Sequence, residues 1–393
     1  MGNIILQESW KTIQLLFTQP ILYWAIFLII VSAYERIERE RLNFGYKIFD
    51  WQKEWRDTLV FSFVFGAVVS IIMISFGFVF TYETIYLINI VIILLSITCK
   101  YTLLSASYTI GTTFLLIILL PLLLPYQTFL PKTLFSVNNF SGLVILLGLL
   151  LIGEAILLKR IKRNNAYPSL TKSKRGVWIG EKQLRKISVL PLFLLVPHGL
   201  IEPFFPYWPY VNLGFNSYSI IIVPFVMGFD HRIKSSLPNV AAQKLARSII
   251  ILSIIVLSLG IGSIYLSWLS LVGILIAIAG REFIVFKLRE KDEGNVPYFT
   301  SLNEGLRVLS IIPGSPAEKT ELLVGEIITK VNGIPVKTPD EFYEALQESG
   351  AFFRLDVVDD AGEVRFIQGA FYEDDDHKLG IIFPRNRYYE KSS

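Results

Sequence analysis

The sequence predicts an α-helical polytopic membrane domain of about nine spans, seven at the fewest, followed by one small α/β domain. Three observations predict it. Hydrophobic residues fill 53% of the 393 positions and charged residues only 18%, against about 25% charged in an ordinary soluble domain. The apolar residues gather in long runs, such as 58–80 and 245–266, rather than in stripes. A soluble fold would then need many helices apolar on every side. After Arg289 the chain turns polar and rich in turn residues, which marks a domain that folds in water.

The candidate spans run approximately 15–34, 58–80, 84–101, 105–125, 139–158, 187–206, 211–229, 246–266 and 268–286. Each is near the roughly 20 residues that a helix needs to cross about 30 Å of hydrocarbon. Lys100 marks the tip between the third and fourth. The seventh contains Asn212, Asn216 and Pro224, and a membrane helix tolerates such a proline when neighbours satisfy the freed carbonyl. Glu8 and Lys11 precede the first run and no small-residue cleavage pattern follows Tyr34, so the first segment is expected to remain as an anchor.

Basic residues set the expected sidedness. The loop after the first span holds Arg36, Arg39, Arg41, Lys47, Lys53 and Arg56. Ten more lie between Lys159 and Lys186, and Arg232, Lys234, Lys244 and Arg247 follow the seventh span. The other side carries only Lys11 and Lys132. With an odd number of spans, all the basic loops and the C-terminus fall on one side, which the positive-inside rule makes cytoplasmic. Phe204, Phe205, Tyr207, Trp208 and Tyr210, interleaved with prolines, form a charge-free aromatic turn on the outer side. The segment from Arg36 to Asp57 reads either as an amphipathic piece on the inner membrane surface or as a solvated loop.

The expected organisation is a membrane domain at 1–289, a linker at 290–304, a folded domain at 305–386 and a tail at 387–393. Within the folded domain, Pro313–Gly314–Ser315–Pro316 is a turn and Ala317–Leu323 a short helix. Ile327–Val331 is a strand, followed by the hairpin signal Asn332–Gly333. Thr338, Pro339 and Glu341 make a capping box that opens a helix over 339–348. Strands are expected at 353–358, 363–368 and 379–383.

These residues resemble a PDZ domain of the bacterial type. The resemblance is carried by Gly314–Ser315–Pro316–Ala317, by Leu322–Leu323–Val324–Gly325–Glu326–Ile327–Ile328 and by Val331–Asn332–Gly333–Ile334–Pro335–Val336, with Glu326 where the pattern usually has Asp. It implies capture of an extended peptide by strand addition, with a helix supplying the side-chain pocket. Leu379, Gly380, Ile381 and Ile382 are the candidate strand and carboxylate nest, in the permuted order of some bacterial membrane-associated PDZ domains. Phe342, Ala345 and Leu346, on one face of the 339–348 helix, are the candidate pocket residues, each equally readable as core.

Chemistry has little to work with. His198, His231 and His377 make no His-Glu-x-x-His motif, and no extramembrane segment is long enough for a separate serine protease domain. Cys99 stands alone, which excludes an intramolecular disulfide and a multi-cysteine metal site. No catalytic residue, metal or cofactor is expected, and the basic loops are topology signals rather than a nucleic-acid surface. His198 and Glu202, four residues apart, would share a helix face inside the sixth span, as a packing pair or as a functional one. Glu154, close to Lys159, is expected to snorkel.

The order of parts, with Phe17, Pro20, Tyr23 and Trp24 in the first span and the charged run Glu35–Arg41 after it, resembles the MinJ-like family of topological factors in division-site selection. That resemblance implies an adaptor in the cell membrane, at division septa and cell poles. It would join a DivIVA-like polar protein to a MinD-like ATPase and so to MinC, with other division proteins or peptide C-termini as further partners. Two rival readings are a PDZ-bearing regulator of a protease or secretion system and a transporter with an added PDZ domain. The transporter reading would want internal repeats, which the sequence lacks.

Overall fold

The computed structural model describes residues 10, 12–123, 139–173, 175–203, 208–209, 215–300, 304–348, 352–370 and 379–384. Lys11, Lys132, Phe204, Phe205, Tyr207, Tyr210, Asn212, His377 and the tail 387–393 lie outside them. The membrane domain contains α1 (Pro20–Phe44), α2 (Lys53–Ser75), α3 (Tyr82–Ser96), α4 (Ala106–Leu123) and α5 (Phe140–Lys159). After these come strands β1 (Tyr167–Lys172), β2 (Trp178–Ile201) and β3 (Tyr218–Ile233), then α6 (Pro238–Gly262) and α7 (Trp268–Gly294). Six of these helices are long and apolar enough to cross a membrane, and α3 is a shorter apolar helix.

Two of the nine expected spans are therefore not helices. Of segments 187–206 and 211–229, residues 187–201 fall in β2 and 218–229 in β3, which pair antiparallel from Lys182↔Ile233 to Pro197↔Tyr218. The 16 residues of β3 reach roughly 50 Å at about 3.3 Å per residue, beyond the roughly 30 Å of a hydrocarbon core. Local composition explains the strand state. Ile220, Ile221, Ile222, Val223 and Val226 are β-branched, which suits a pleated surface. Pro191 and Pro224 would each cost a helix about 3 kcal/mol.

The prolines face each other across the ladder and occupy positions where it loses nothing. On β2, the Ile187 and Leu195 carbonyls and the Phe193 N–H all turn away from β3, towards α2 and the segment after it. Pro191 shares that odd-numbered register, so its missing N–H is an outward one. Pro224 does the same on β3, in register with the outward carbonyls of Ile220 and Ile222.

A strand edge at membrane depth needs partners, because lipid offers no hydrogen bonds. Helix side chains supply them. Phe193 N–H donates to Ser70 Oγ at 2.8 Å and Thr58 Oγ1 donates to the Ile187 carbonyl at 3.1 Å. Ser62 and Ser188 hydroxyls lie 2.7 Å apart. On the other edge, Thr12 and Gln19 donate to the carbonyls of Ile220 and Ile222, each at 2.7 Å. Gly66 lets α2 approach: a Cβ there would lie 2.8 Å from the Pro191 carbonyl oxygen. At the far end Phe80 N–H donates to the Leu195 carbonyl and the Trp208 indole to the Ile74 carbonyl. The hairpin thus runs along α2 from its start to its end, in one core with α1–α7.

The segment 36–57 is not a plain solvated loop. Helix α1 continues to Phe44 and is stopped by Gly45, which adopts φ +89°. Arg36 is buried among Glu40 at 2.9 Å, Glu54 at 3.3 Å and the carbonyls of Phe49 and Asp50. Glu40 also accepts the N–H groups of Ile48 and Phe49. These bonds fix the 44–50 turn and leave Phe44, Ile48 and Phe49 in an apolar cluster with the C-terminal domain.

That domain contains β4 (Leu306–Arg307), β5 (Ser310–Ile311), α8 (Pro316–Lys319), β6 (Ile327–Val331), β7 (Ile334–Pro335), α9 (Pro339–Gln347), β8 (Phe352–Val358), β9 (Val364–Ala370) and β10 (Ile381–Ile382). Its sheet runs β4-β6-β8-β9 with β7 on β6, and β10 pairs antiparallel with β5. Helix α7 reaches Gly294 and Phe299 bridges to Gly180, so the described part of the expected 290–304 linker is helix at its start and tied to β2 near its end.

Candidate peptide-binding groove

The candidate groove residues lie on two elements that come together only in the fold. Helix α9 begins at the capping box, in which Thr338 Oγ1 accepts the Glu341 N–H and the Glu341 carboxylate accepts that of Thr338. Backbone N–H groups, that of Lys337 first, hold the exposed Glu341 carboxyl below the usual range. Strand β10 is set by Gly380. That residue adopts φ +83°, and a Cβ on it would strike Ser315, so only glycine fits. The Leu379 carbonyl accepts Ala317 N–H and that of Gly380 accepts Ile312 N–H. These bonds lock the turn ahead of β10 onto the Pro313–Pro316 segment.

The candidate residues are all buried, and the pleat divides them. Leu379 and Ile381 join Phe342, Ala345 and Leu346 in the core of the C-terminal domain. Ile382 turns the other way, into the cluster shared with Phe44, Phe49, Tyr167 and Leu170 of the membrane domain. Phe342 packs edge-on against Phe383, ring centroids 5.1 Å apart. Tyr343, which the helical-face pattern does not single out, spans the gap and donates its hydroxyl to the Ile381 carbonyl at 3.2 Å. That carbonyl lies on the β10 edge turned away from β5. It is the edge an added strand would use.

The domain is fastened to the membrane part through the segments around Arg163, Gly180 and Lys234. Arg163 makes a two-pronged pair with Asp360 (2.5 and 2.8 Å) and donates to the Val324 carbonyl. Asn164 exchanges hydrogen bonds with Leu322 and Val324. Gly180 N–H donates to the Phe299 carbonyl and Tyr298 N–H to that of Lys234. Glu326 accepts Leu323 N–H at 2.9 Å and pairs with Arg365 at 2.7 Å, so the longer carboxylate serves both the turn and the sheet edge.

The structure does not bring His198 and Glu202 onto a helix face. His198 sits in β2 where the register shifts between Pro197 and Ile201, at φ +63°, exposed, with its ring edge on Phe215. Glu202 follows the strand and is also exposed. The buried charges lie elsewhere. Glu154 does not snorkel. It is fully buried, 2.5 Å from Arg281, and accepts the Ser105 hydroxyl. Arg281 also lies 3.3 Å from His231. Arg185 is held by Glu35 at 2.8 Å and stacks over Tyr101. Sequence spacing could not show the Glu154–Arg281 and Glu35–Arg185 pairs, whose members are 127 and 150 residues apart. Among the described residues no group of three or more His, Cys, Asp or Glu could hold a metal ion.

The fold defines a class: a protein with several helices long and apolar enough to cross a membrane, carrying a small sheet-and-helix domain after them. The family model described as a PDZ domain matches residues 307–358. Over 381 residues, 96% of each chain, the sequence is 33% identical to the cell division topological determinant MinJ of Bacillus subtilis (strain 168). It is 29% identical over 86 residues to the probable cell division topological determinant MinJ of Lacticaseibacillus paracasei, covering 22% of this chain and 23% of that relative. The chain belongs to the MinJ family.

Proposed function

We propose that the protein is a cell-division topological determinant that works as a membrane adaptor and not as an enzyme. It bridges a DivIVA-like protein at poles and septa to a MinD-like ATPase, and through it to MinC, so that division is inhibited at poles and used septa. The observation that carries this reading is the match to MinJ along 96% of both chains. The membrane domain crosses the bilayer several times with its basic loops and PDZ domain in the cytoplasm, following the charge asymmetry. The groove between β10 and α9 takes an extended peptide on the Ile381 edge, with Gly380 at the carboxylate end and Phe342, Ala345 and Leu346 walling the pocket. Tethering partners to one membrane platform raises their effective concentration without chemistry.

The test is imaging of a functional fluorescent fusion in dividing cells, with and without residues 300–393. Enrichment at septa and poles is expected. A pattern that persists after truncation assigns the targeting to the membrane domain. Uniform envelope fluorescence of an active fusion overturns the division-site reading in favour of a regulator spread over the envelope.

A further inference from the structure

A cavity of about 320 Å³ opens where the starts of α2 and β2 meet the end of α5. Its walls include Asp57, Thr58, Leu157, Arg160, Lys162 and Lys186. Three of these are cations and one is an anion. Asp57 is already engaged by Lys186 at 2.5 Å, and Thr58 is engaged by carbonyls. Arg160 rests over the Phe61 ring, 5.1 Å from its centroid, and has no carboxylate partner among the described residues; nor has Lys162. Among the described residues, two positive charges are thus left facing a concave site with no carboxylate paired to them.

The position of the cavity says what would. Above it on α2, Val60, Phe63 and Val64 are 60–70% exposed, an apolar strip that only lipid tails can cover. Trp51 and Trp55 stand exposed at its foot, the level at which amphipathic rings mark the headgroup layer. Leu157 supplies an apolar wall on the membrane side. Basic pockets between membrane helices at this level suit phosphate-bearing headgroups, and a guanidinium beside an ammonium offers a fork and a point charge to one phosphate.

We infer that Arg160 and Lys162, beside the Lys186–Asp57 pair, form a phosphate-binding site for an anionic headgroup at the basic end of the bundle. The site lies away from the peptide groove and is independent of the division role. The same phosphate chemistry could come from a lipid or from the free ion, and the experiment separates them. Full-length protein in detergent is titrated with phosphatidylglycerol, with phosphatidylcholine and with inorganic phosphate, and binding is read by native mass spectrometry.

Phosphatidylglycerol is expected to bind at least tenfold more tightly than phosphatidylcholine. Near a membrane surface each basic residue contributes about 1 kcal/mol, so Arg160→Ala with Lys162→Ala should weaken binding about thirty-fold. The exchange Arg160→Lys with Lys162→Arg should keep it within a few-fold, which separates lost charge from lost fold. Displacement by millimolar phosphate would support the site and assign it to the free ion, whereas resistance assigns it to lipid. Equal binding of the two lipids with no phosphate binding overturns the inference, and so does full affinity in the double alanine variant.

Discussion

Replacing Ser70 by Ala is the sharpest test of the strand hairpin inside the helical bundle. Ser70 is buried on α2, and its hydroxyl oxygen accepts the Phe193 N–H while donating to the Gly66 carbonyl. The Gly66 carbonyl keeps its place in the helix ladder, so only the Phe193 donor is stranded. A buried donor left without a partner costs about 1–3 kcal/mol, and water cannot rescue it at membrane depth. The unfolding equilibrium in detergent should therefore shift by about five-fold to more than a hundred-fold. Ser258→Ala is the control: Ser258 is exposed on α6 and bonds only to the Ile254 carbonyl of its own helix, so its loss should stay within about 0.5 kcal/mol. Steric-trapping or thermal unfolding of the full-length protein in one detergent measures both. Were 187–206 a helix, Phe193 N–H would be bonded four residues back and Ser70→Ala would match Ser258→Ala. That equality would refute the hairpin.

Three further outcomes follow from buried or bridging groups. Arg281→Met strands the Glu154 carboxylate in the core and should cost about 3–5 kcal/mol, while adding Glu154→Gln recovers most of it; unfolding of the single and double variants in detergent checks this. Arg163→Ala removes the Asp360 pair and the Val324 bond, worth together about 1–2 kcal/mol once the half-exposed Asp360 is discounted for solvent screening. The expected readout is faster limited proteolysis between α7 and β4, and an unchanged rate would deny the bond a role in fastening the domain. Tyr343→Phe frees the Ile381 carbonyl for an incoming strand. A hydrogen bond worth about 1 kcal/mol then gives about five-fold tighter binding of a peptide selected on the wild-type groove, read by fluorescence anisotropy.

Seven of the nine apolar segments were legible because hydropathy reports length and burial, and a membrane helix needs little else. The same quantity cannot tell a helix from a strand when both faces of the segment are apolar. The signals that could have separated them were present: Pro191, Pro197 and Pro224 together with the Ile220–Val223 run. A hydropathy window takes no account of them, and a lone strand at membrane depth has no means of pairing its own backbone. What makes the hairpin viable is remote. Thr12, Gln19, Thr58 and Ser70 lie more than 100 residues from the strand groups they satisfy. In the C-terminal domain the local signals were strong, and α9 and β6 fall where the capping box and the Asn332–Gly333 turn place them. Tyr343 was not legible there, since its role depends on β10 lying across from it, 38 residues on.

The charge argument for the proposed sidedness, by contrast, does not depend on whether two segments are helices or strands. A hairpin that leaves the basic end and returns to it contributes an even number of crossings, as a helix pair would. The charge rule counts loops, not the structure of what lies between them. On the proposed topology this explains a second economy in the chain. Arg163 stands in the basic loop after α5 and is also the residue that grips Asp360 and Val324 of the PDZ domain. Its neighbours on the same side, Arg160 and Lys162, are left for the phosphate layer. One short basic run thus faces the membrane with two of its charges and the groove-bearing domain with a third. A partner that pulls the domain away would break the Arg163 contact without disturbing the lipid site. Headgroup binding and domain release are therefore separable in this architecture, and Arg163→Ala and the Arg160/Lys162 double variant should have distinct phenotypes rather than graded versions of one.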